Sequence, residues 1–286
     1  MALVWDRDGV DWPHREASRF IEAGGLRWHL QQMGQGPTAL LLHGTGASGH
    51  SWRGLAPLLA DAYTIVAPDL PGHGFTGRSS GTRLSLGGMS RAVAELLTVL
   101  GERPSLIIGH SAGAAIALRL ALDGAASPSR IVSLCGSLLP FGGVRAVTYP
   151  LLAKALFLNP FAAPFLSRLA AQPDAVERVI KGTGSHLDAE GFELYQRLLR
   201  DRDHIAGVTA MMANWDLRPL QRDLPRLETP LTLVVAKDDA AVPPYVAYRV
   251  KSMVKSAEIV TLSRLGHLAH EEAPEKIAEL IQGLDS

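Results

Sequence analysis

One serine flanked by glycines is the residue of this chain best suited to covalent chemistry. Ser111 stands in Gly109–Gly113, a Gly-His-Ser-Ala-Gly segment that follows an apolar run (residues 105–108) and precedes an alanine-rich run (114–122). Gly-x-Ser-x-Gly between a strand and a helix is typical of a nucleophile held at the apex of a sharp turn. Crowding in such a turn favours glycine on both sides. The amides of the following helix point at negative charge that develops beside the serine. The pattern therefore predicts that Ser111 is a nucleophile.

A serine hydroxyl needs a base, and the base needs a carboxylate that orients it. After a Gly-x-Ser-x-Gly nucleophile the expected order is Ser, Asp, His, each behind a strand. Asp239 follows a predicted strand (231–236), and His267 follows another (258–262). Asp238 is the competing acid, but the Asp-x-x-Val-Pro spacing favours Asp239. A lone Asp or His usually serves a turn or a cap, whereas three such residues in this order predict a catalytic triad.

An acyl-transfer site also needs backbone amides that bind an oxyanion. One amide comes from the residue after the nucleophile, here Ala112, and another from a loop after an early strand. The loop His43-Gly44-Thr45-Gly46 follows the apolar run 40–42, so we predict that Thr45 supplies the second amide. A phosphate cradle is the alternative for a glycine-rich loop. It is disfavoured because the chain has neither a Lys-Ser/Thr pair nor a Gly-x-Gly-x-x-Gly run there.

Other residues with reactive side chains fit structural roles better. Cys135 ends an apolar strand and is expected to be a core thiol. His43, His110, His267 and His270 lack the spacing of a metal site, so no metal and no cofactor is expected. His270 and its neighbours stand in a helix-entry segment, where a structural role is expected.

The elements that must position these residues alternate between strand and helix. Strands are predicted at 20–22, 27–33, 40–42, 63–67, 105–109, 131–135, 231–236 and 258–262, and helices at 52–59, 89–100, 114–122, 243–251 and 273–282. This alternation predicts an α/β fold with a mostly parallel sheet covered on both faces, opened by an antiparallel pair. Ser85 or Ser90 is the predicted cap of the helix at 89–100.

One region lacks strands. Residues 136–229 contain only helix-like segments and an apolar run, from Leu138 to Leu166, that Lys154, Asn159 and prolines interrupt. These interruptions exclude a transmembrane helix of about 20 apolar residues. We interpret the region as an inserted helical lid. The predicted division is a core of residues 1–136 and 229–286 and a lid of residues 137–228.

Composition limits the partners and the compartment. Lys plus Arg number 28 and Asp plus Glu number 28, so net charge gives no reason to expect nucleic acid as a partner. A single cysteine excludes an internal disulfide and suits a reducing compartment. The charged N-terminal stretch is the opposite of a signal peptide. A cytoplasmic location is therefore expected.

Together these motifs resemble those of the α/β-hydrolase superfamily, and more specifically the BchO family of magnesium-chelatase accessory proteins in bacteriochlorophyll synthesis. The segments that carry the resemblance are residues 11–20, 41–47, 67–76, 211–217 and 265–272. The first and fourth are the discriminating ones, since the others occur in hydrolases generally. Ala236 departs from the superfamily, where glycine is commoner before the acid loop, and this leaves the local turn in question.

The resemblance implies a role near the insertion of Mg²⁺ into protoporphyrin IX, with chelatase subunits as partners. The apolar lid suits a flat apolar ligand such as a porphyrin and equally a fatty ester. Expected substrate contacts are His43, His110, Leu139, Phe141, Phe157, Phe161 and Trp215.

Three readings of the function stay open. The first is a serine hydrolase acting on an apolar, tetrapyrrole-related ester or other activated carbonyl. The second is a porphyrin-binding or chelatase-interacting accessory protein whose triad is idle. The third keeps the triad for C–C bond hydrolysis, perhydrolysis or a small ester unrelated to tetrapyrroles. The fold alone does not choose between them.

Overall fold

An eight-stranded sheet forms the centre of the protein. The computed structural model describes residues 3–77, 81–140, 154–156, 158–159, 161–172 and 174–284. The strands are β1 (Ser18–Ala23), β2 (Leu26–Met33), β3 (Thr38–Leu42), β4 (Thr64–Pro68), β5 (Leu106–His110), β6 (Arg130–Leu134), β7 (Leu231–Ala236) and β8 (Ala257–Leu262). Their order is β1-β2-β4-β3-β5-β6-β7-β8. β1 and β2 pair antiparallel, β2 pairs antiparallel with β4, and all other pairs are parallel.

Helices cover both faces of this sheet. They are α1 (Trp5–Asp8), α2 (Leu55–Leu59), α3 (Leu86–Leu100), α4 (Ala112–Leu122), α5 (Ala162–Leu169), α6 (Ala175–Lys181), α7 (Ala189–Arg200), α8 (Arg202–Asn214), α9 (Arg218–Asp223), α10 (Tyr245–Met253), α11 (Ala269–Glu272) and α12 (Pro274–Gly283). One apolar core joins α3, α4 and α10 to the sheet, and a second joins α2 and α12 to it. Strands buried on both faces, such as β3 and β5, are accordingly apolar throughout.

The predicted α/β class, the parallel sheet and its antiparallel opening are confirmed. Some helix boundaries differ from the prediction. In place of the helix predicted at 52–59, the chain forms a 3-10 helix (Gly49–Trp52) followed by α2. α3 begins three residues early because the Ser85 side chain accepts the Gly88 N–H and caps the first turn. α10 begins two residues late, at Tyr245, with Pro244 at its N-cap.

The described residues between β6 and β7 form helices and loops and contain no strand. They include α5 to α9 and a 3-10 helix (Leu224–Arg226), which precedes β7. We call the described residues of this stretch, 137–140, 154–156, 158–159, 161–172 and 174–228, the helical insertion. Among the described helices, none has both the length and the apolar character that crossing a membrane requires.

Candidate active site

The turn after β5 holds Ser111 in a strained conformation. Ser111 has φ +50° and ψ −114°, a region that non-glycine residues rarely adopt. Its N–H donates to the Leu134 carbonyl at 3.0 Å, and α4 begins at the next residue. A Cβ at Gly109 would lie 2.4 Å from the Ala114 Cα, and one at Gly113 would lie 2.0 Å from the Leu42 carbonyl oxygen. Close backbone contact therefore requires glycine on both sides of the serine.

Asp239 and His267 form a buried pair at the ends of β7 and β8. His267 Nδ1 lies 2.8 Å from Asp239 Oδ2, and both residues are more than nine-tenths buried. Asp239 Oδ1 accepts the N–H groups of Ala241 and Val242, each at 2.8 Å. These three bonds fix the carboxylate, whereas the neighbouring Asp238 is exposed. The acid nearest to the imidazole is thus Asp239.

His267 also lies against the turn that carries the serine. His110 Nε2 donates to the His267 carbonyl at 3.0 Å, and the two rings are 4.7 Å apart between centroids. Since His110 directly precedes Ser111, the β8 loop and the β5 turn meet at this point. With Nδ1 engaged by Asp239, Nε2 is the nitrogen left for a proton transfer.

The glycine-rich loop after β3 packs on the serine. A Cβ at Gly44 would lie 3.0 Å from the Ser111 Cβ. The Gly44 carbonyl accepts His43 Nδ1–H at 2.8 Å and the Ala47 N–H at 3.2 Å. Because a trans peptide is planar, the Thr45 N–H points away from that carbonyl. Ala112, at the first position of α4, carries an amide with no partner within its helix. The loop and the helix therefore offer two amides beside the serine.

His43 and His110, two of the expected substrate contacts, are 0% and 2% exposed. His43 is fully buried; its Nε2 accepts the Leu70 N–H at 2.8 Å, so both ring nitrogens have protein partners. Burial lowers the pKa of His43 and lowers that of His110 well below its usual range. Both imidazoles are neutral and hold backbone groups of the site in place.

The remaining expected substrate contacts do not converge on one pocket in the described part of the chain. Leu139 is buried and Trp215 half-buried in the same apolar core. Phe161 is 77% exposed, so it faces solvent. Phe141 and Phe157 lie outside the described residues. A groove of about 960 Å³ is lined by residues of α1, α5, α6 and α7, and its lining includes no residue of the predicted triad.

A short segment of the helical insertion contacts the loops that carry Asp239 and His267. The Thr183 carbonyl accepts the Ala240 N–H at 3.1 Å and the His267 N–H at 3.4 Å, and Ser185 Oγ accepts the Leu268 N–H at 2.8 Å. Gly184 has φ +84°, and a Cβ there would lie 1.9 Å from the Asp238 carbonyl oxygen. Sequence reasoning missed this contact, since its only local signal is a glycine between Thr and Ser.

Helix α8 of the insertion contacts the glycine-rich loop after β3. Thr45 Oγ1 lies 3.7 Å from Met211 Sδ. His204 Nδ1 accepts the Gly74 N–H at 3.1 Å, and its Nε2 lies 3.2 Å from the Gly46 carbonyl. Burial lowers the pKa of His204 to about 4, so the ring is neutral and able to accept at one nitrogen and donate at the other. Met211 opens the Met-Met-Ala-Asn-Trp-Asp segment that carries the family resemblance.

Cys135 is a second residue whose position the sequence did not indicate. It has φ +48° just after β6, is buried, and its Sγ lies within 4.8 Å of donor atoms of Asp239 and His267. Burial and the Asp239 charge raise the pKa of this thiol well above its usual value, so it stays protonated. These three donor types also suit a soft metal ion. Here the imidazole and the carboxylate are hydrogen-bonded to each other.

Comparison with known proteins shows what the chain is similar to. Residues 39–280 match the model of the Alpha/beta hydrolase family. The chain is 38% identical to the Magnesium-chelatase 30 kDa subunit of Rhodobacter capsulatus over 95% of each chain. It is 27% identical to the Uncharacterized hydrolase YugF of Bacillus subtilis, over 88% of this chain and 91% of that one. An alpha/beta hydrolase fold protein from Burkholderia ambifaria superposes with a TM-score of 0.79 at 21% identity, over 93% of this chain and 97% of that one.

Proposed function

The chain belongs to the alpha/beta hydrolase family, and from that premise we propose that it is a serine hydrolase with the triad Ser111, His267 and Asp239. The observation that carries the proposal is the buried Asp239–His267 pair, joined at 2.8 Å, beside a serine held at φ +50°. A buried carboxylate fixed by three hydrogen bonds has the position of the orienting acid in a triad. A strained backbone conformation at one residue of a tightly packed turn is typical of a functional residue.

In the proposed reaction, Ser111 Oγ attacks a carbonyl carbon and His267 Nε2 takes the hydroxyl proton. Asp239 keeps the other nitrogen protonated and so selects the tautomer that can act as a base. The amides of Thr45 and Ala112 donate to the oxyanion, where each such donor contributes about 3 kcal/mol to transition-state stabilisation. His267 then protonates the leaving group, and a water activated by the same imidazole releases the acyl product.

We infer that the substrate is an apolar carbonyl compound of the tetrapyrrole route. The similarity to the Magnesium-chelatase 30 kDa subunit over 95% of both chains supports this class. The apolar, acid-free sequence of the insertion between Leu138 and Leu166 supports an apolar ligand. The single, buried Cys135 fits the reducing cytoplasm, where we place the protein.

A second function has one observation in its favour. The name of that relative denotes a chelatase subunit, so the chain could bind a porphyrin or chelatase subunits as an accessory without using its triad. The two functions differ in one measurable respect: only the hydrolase requires an activated serine. The pair of tests below therefore separates them.

The first test is labelling with a fluorophosphonate, which reacts with activated serines. Wild type should be labelled, and Ser111→Ala and His267→Ala should not, because removing one member of a triad disables the whole. Ser252→Ala, at an exposed serine on α10, is the matched control and should label like wild type. Equal labelling of wild type and Ser111→Ala would refute the nucleophile.

The second test is titration with protoporphyrin IX. A shifted Soret band and quenched tryptophan fluorescence are expected in wild type and equally in Ser111→Ala, since binding does not need the nucleophile. Labelling without any spectral shift would leave a hydrolase with a small ester as substrate. A shift without labelling would favour the accessory function.

A further inference from the structure

The burial pattern of helix α5 is the reverse of that of an ordinary surface helix. Its residues Ala162 and Ser167 are buried, whereas Phe165 is 65% exposed and Leu169 is 42% exposed. A helix that packs on a core normally turns its large apolar side chains inward. Here small side chains face inward and large apolar ones face solvent, so burial in this chain does not explain the large ones.

The exposed apolar side chains continue beyond the helix. Phe161, at the N-cap of α5, is 77% exposed, and Leu158 is 75% exposed. Phe161, Phe165 and Leu169 follow at four-residue spacing, which places them on one side of the helix. We call Leu158, Phe161, Phe165 and Leu169 the apolar strip. Contiguous exposure of this kind marks a surface that something else covers.

The chain segment that carries the apolar strip has cations and no acids, and the nearest acids in sequence, Asp174 and Glu177, line the groove that Arg168 also lines. No Asp or Glu occurs from Gly124 to Pro173, although the chain has 28 acidic residues. The described cations next to the strip in sequence, Lys154 and Arg168, are both exposed. A partner for this surface should therefore be apolar at its centre and negative at its rim.

We propose that the apolar strip docks the protein on the surface of an anionic lipid bilayer. Large apolar side chains with cations beside them are the composition of helices that lie in the membrane interface. The eight residues of α5 span about 12 Å, too short to cross a bilayer, so the helix lies in the interface plane. The proposal is independent of the hydrolase function.

A second copy of the chain fits the strip less well than lipid does. In a symmetric dimer the same patch faces itself, so Lys154 and Arg168 of one copy would meet the same cations of the other. Like charges opposed across an interface destabilise it. An anionic lipid surface, in contrast, lowers the repulsion between these cations and attracts each of them.

Flotation with lipid vesicles tests the proposal. Wild type should float with vesicles of phosphatidylcholine and phosphatidylglycerol, bind pure phosphatidylcholine more weakly, and lose affinity as salt rises. The double variant Phe165→Ser/Leu169→Ser should bind at least about tenfold more weakly, because it removes buried apolar area. Arg168→Glu should weaken binding about fivefold or more.

The matched control is Tyr245→Ser/Tyr248→Ser, which removes two aromatic side chains, 51% and 57% exposed, from α10 outside the strip. It should float like wild type. Unchanged thermal unfolding of each variant would show that it is folded. Absence of flotation with the anionic vesicles, or equal flotation of the double variant and wild type, would overturn the proposal. A lipid-free dimer that the double variant abolishes would assign the strip to a second copy instead.

Discussion

Two helices of this chain place their apolar side chains in opposite environments. In α4, which follows the nucleophile turn, Ile116, Leu118 and Leu120 are fully buried between the sheet and its neighbours. In α5, Phe165 and Leu169 face solvent. Both segments are rich in alanine and leucine or phenylalanine, so hydrophobicity predicts the helix in each case but not the direction of its apolar side.

The loops around Ser111 and the outer side of α5 also differ in their polar groups. The loops around Ser111 contain buried imidazoles and carboxylates that hold the backbone, as when Asp69 accepts the Gly49 and Phe75 N–H groups and contacts His29. Burial opposes ionisation of Asp69, yet His29 and the amides hold its pKa at about 2. Such a network fixes geometry before a substrate arrives. The outer side of α5 has only apolar side chains and cations, which suits a surface that adapts to its partner.

The largest effect is expected at the acid of the triad. Asp239→Asn should lower kcat about 10⁴-fold, because the amide favours the wrong imidazole tautomer while the geometry stays intact. Asp238→Asn, on the exposed neighbour, should stay within a few-fold of wild type. Steady-state kinetics with an activated ester measures both. A larger loss in Asp238→Asn would move the acid by one position.

The next effect concerns the tight contact beside the nucleophile. Gly113→Ala should lower the free energy of unfolding by about 3 kcal/mol or more, because its Cβ would lie 2.0 Å from the Leu42 carbonyl oxygen. Gly283→Ala, with no heavy atom within 4 Å of its Cβ, should change stability by about 0.5 kcal/mol or less. Urea unfolding measures both. Equal values for the two variants would contradict the close packing assigned to the turn.

Acid should unfold the protein through its buried imidazoles. Burial lowers the pKa of six of them below the ordinary 6.5, and these are His43, His50, His73, His110, His204 (to about 4) and His270 (to about 3). Below pH 6.5 the unfolded chain binds protons that the folded chain does not. Stability is therefore complete above pH 6.5 and falls as pH drops toward 4, by up to about 1.4 kcal/mol per pH unit for each histidine.

Urea unfolding across that pH range measures the slope. His270→Asn should reduce it by up to one proton, because this buried imidazole no longer contributes. Glu271 acts in the opposite direction, since burial raises its pKa to about 7 and the folded chain gains its proton first as pH falls. Stability that stays flat below pH 6.5 would contradict neutral buried imidazoles.

The smallest effect is expected on the outer side of α5. Phe165→Ser/Leu169→Ser should change the free energy of unfolding by about 0.5 kcal/mol per residue or less, because these side chains are already exposed. Leu118→Ala in α4 should cost about 2–5 kcal/mol. Thermal or urea unfolding compares the two. A cost for the α5 variant similar to that of Leu118→Ala would mean that the strip is packed within the chain.

Much of the fold follows from local patterns in the sequence. The apolar run before Ser111, the glycines around it and the alanine-rich run after it predict strand, turn and helix, because each depends on neighbours within a few residues. The order of Ser111, Asp239 and His267 behind strands predicts their meeting, because parallel strands present their carboxyl ends at one edge of the sheet. The resemblance read from the five segments is confirmed.

Tertiary structure alone decided the rest. Some contacts join residues far apart in the chain, and no local spacing encodes them. Thr183 and Ser185 contact the loops that carry Asp239 and His267, and Cys135 lies beside those two residues. Histidine is a common ligand-binding residue, but the Nε2 of His43 accepts the Leu70 N–H, which belongs to another loop. In α5 the direction of Phe165 is set by which side packs on α7 and α8, because an apolar side chain gains burial only where neighbouring elements leave room for it.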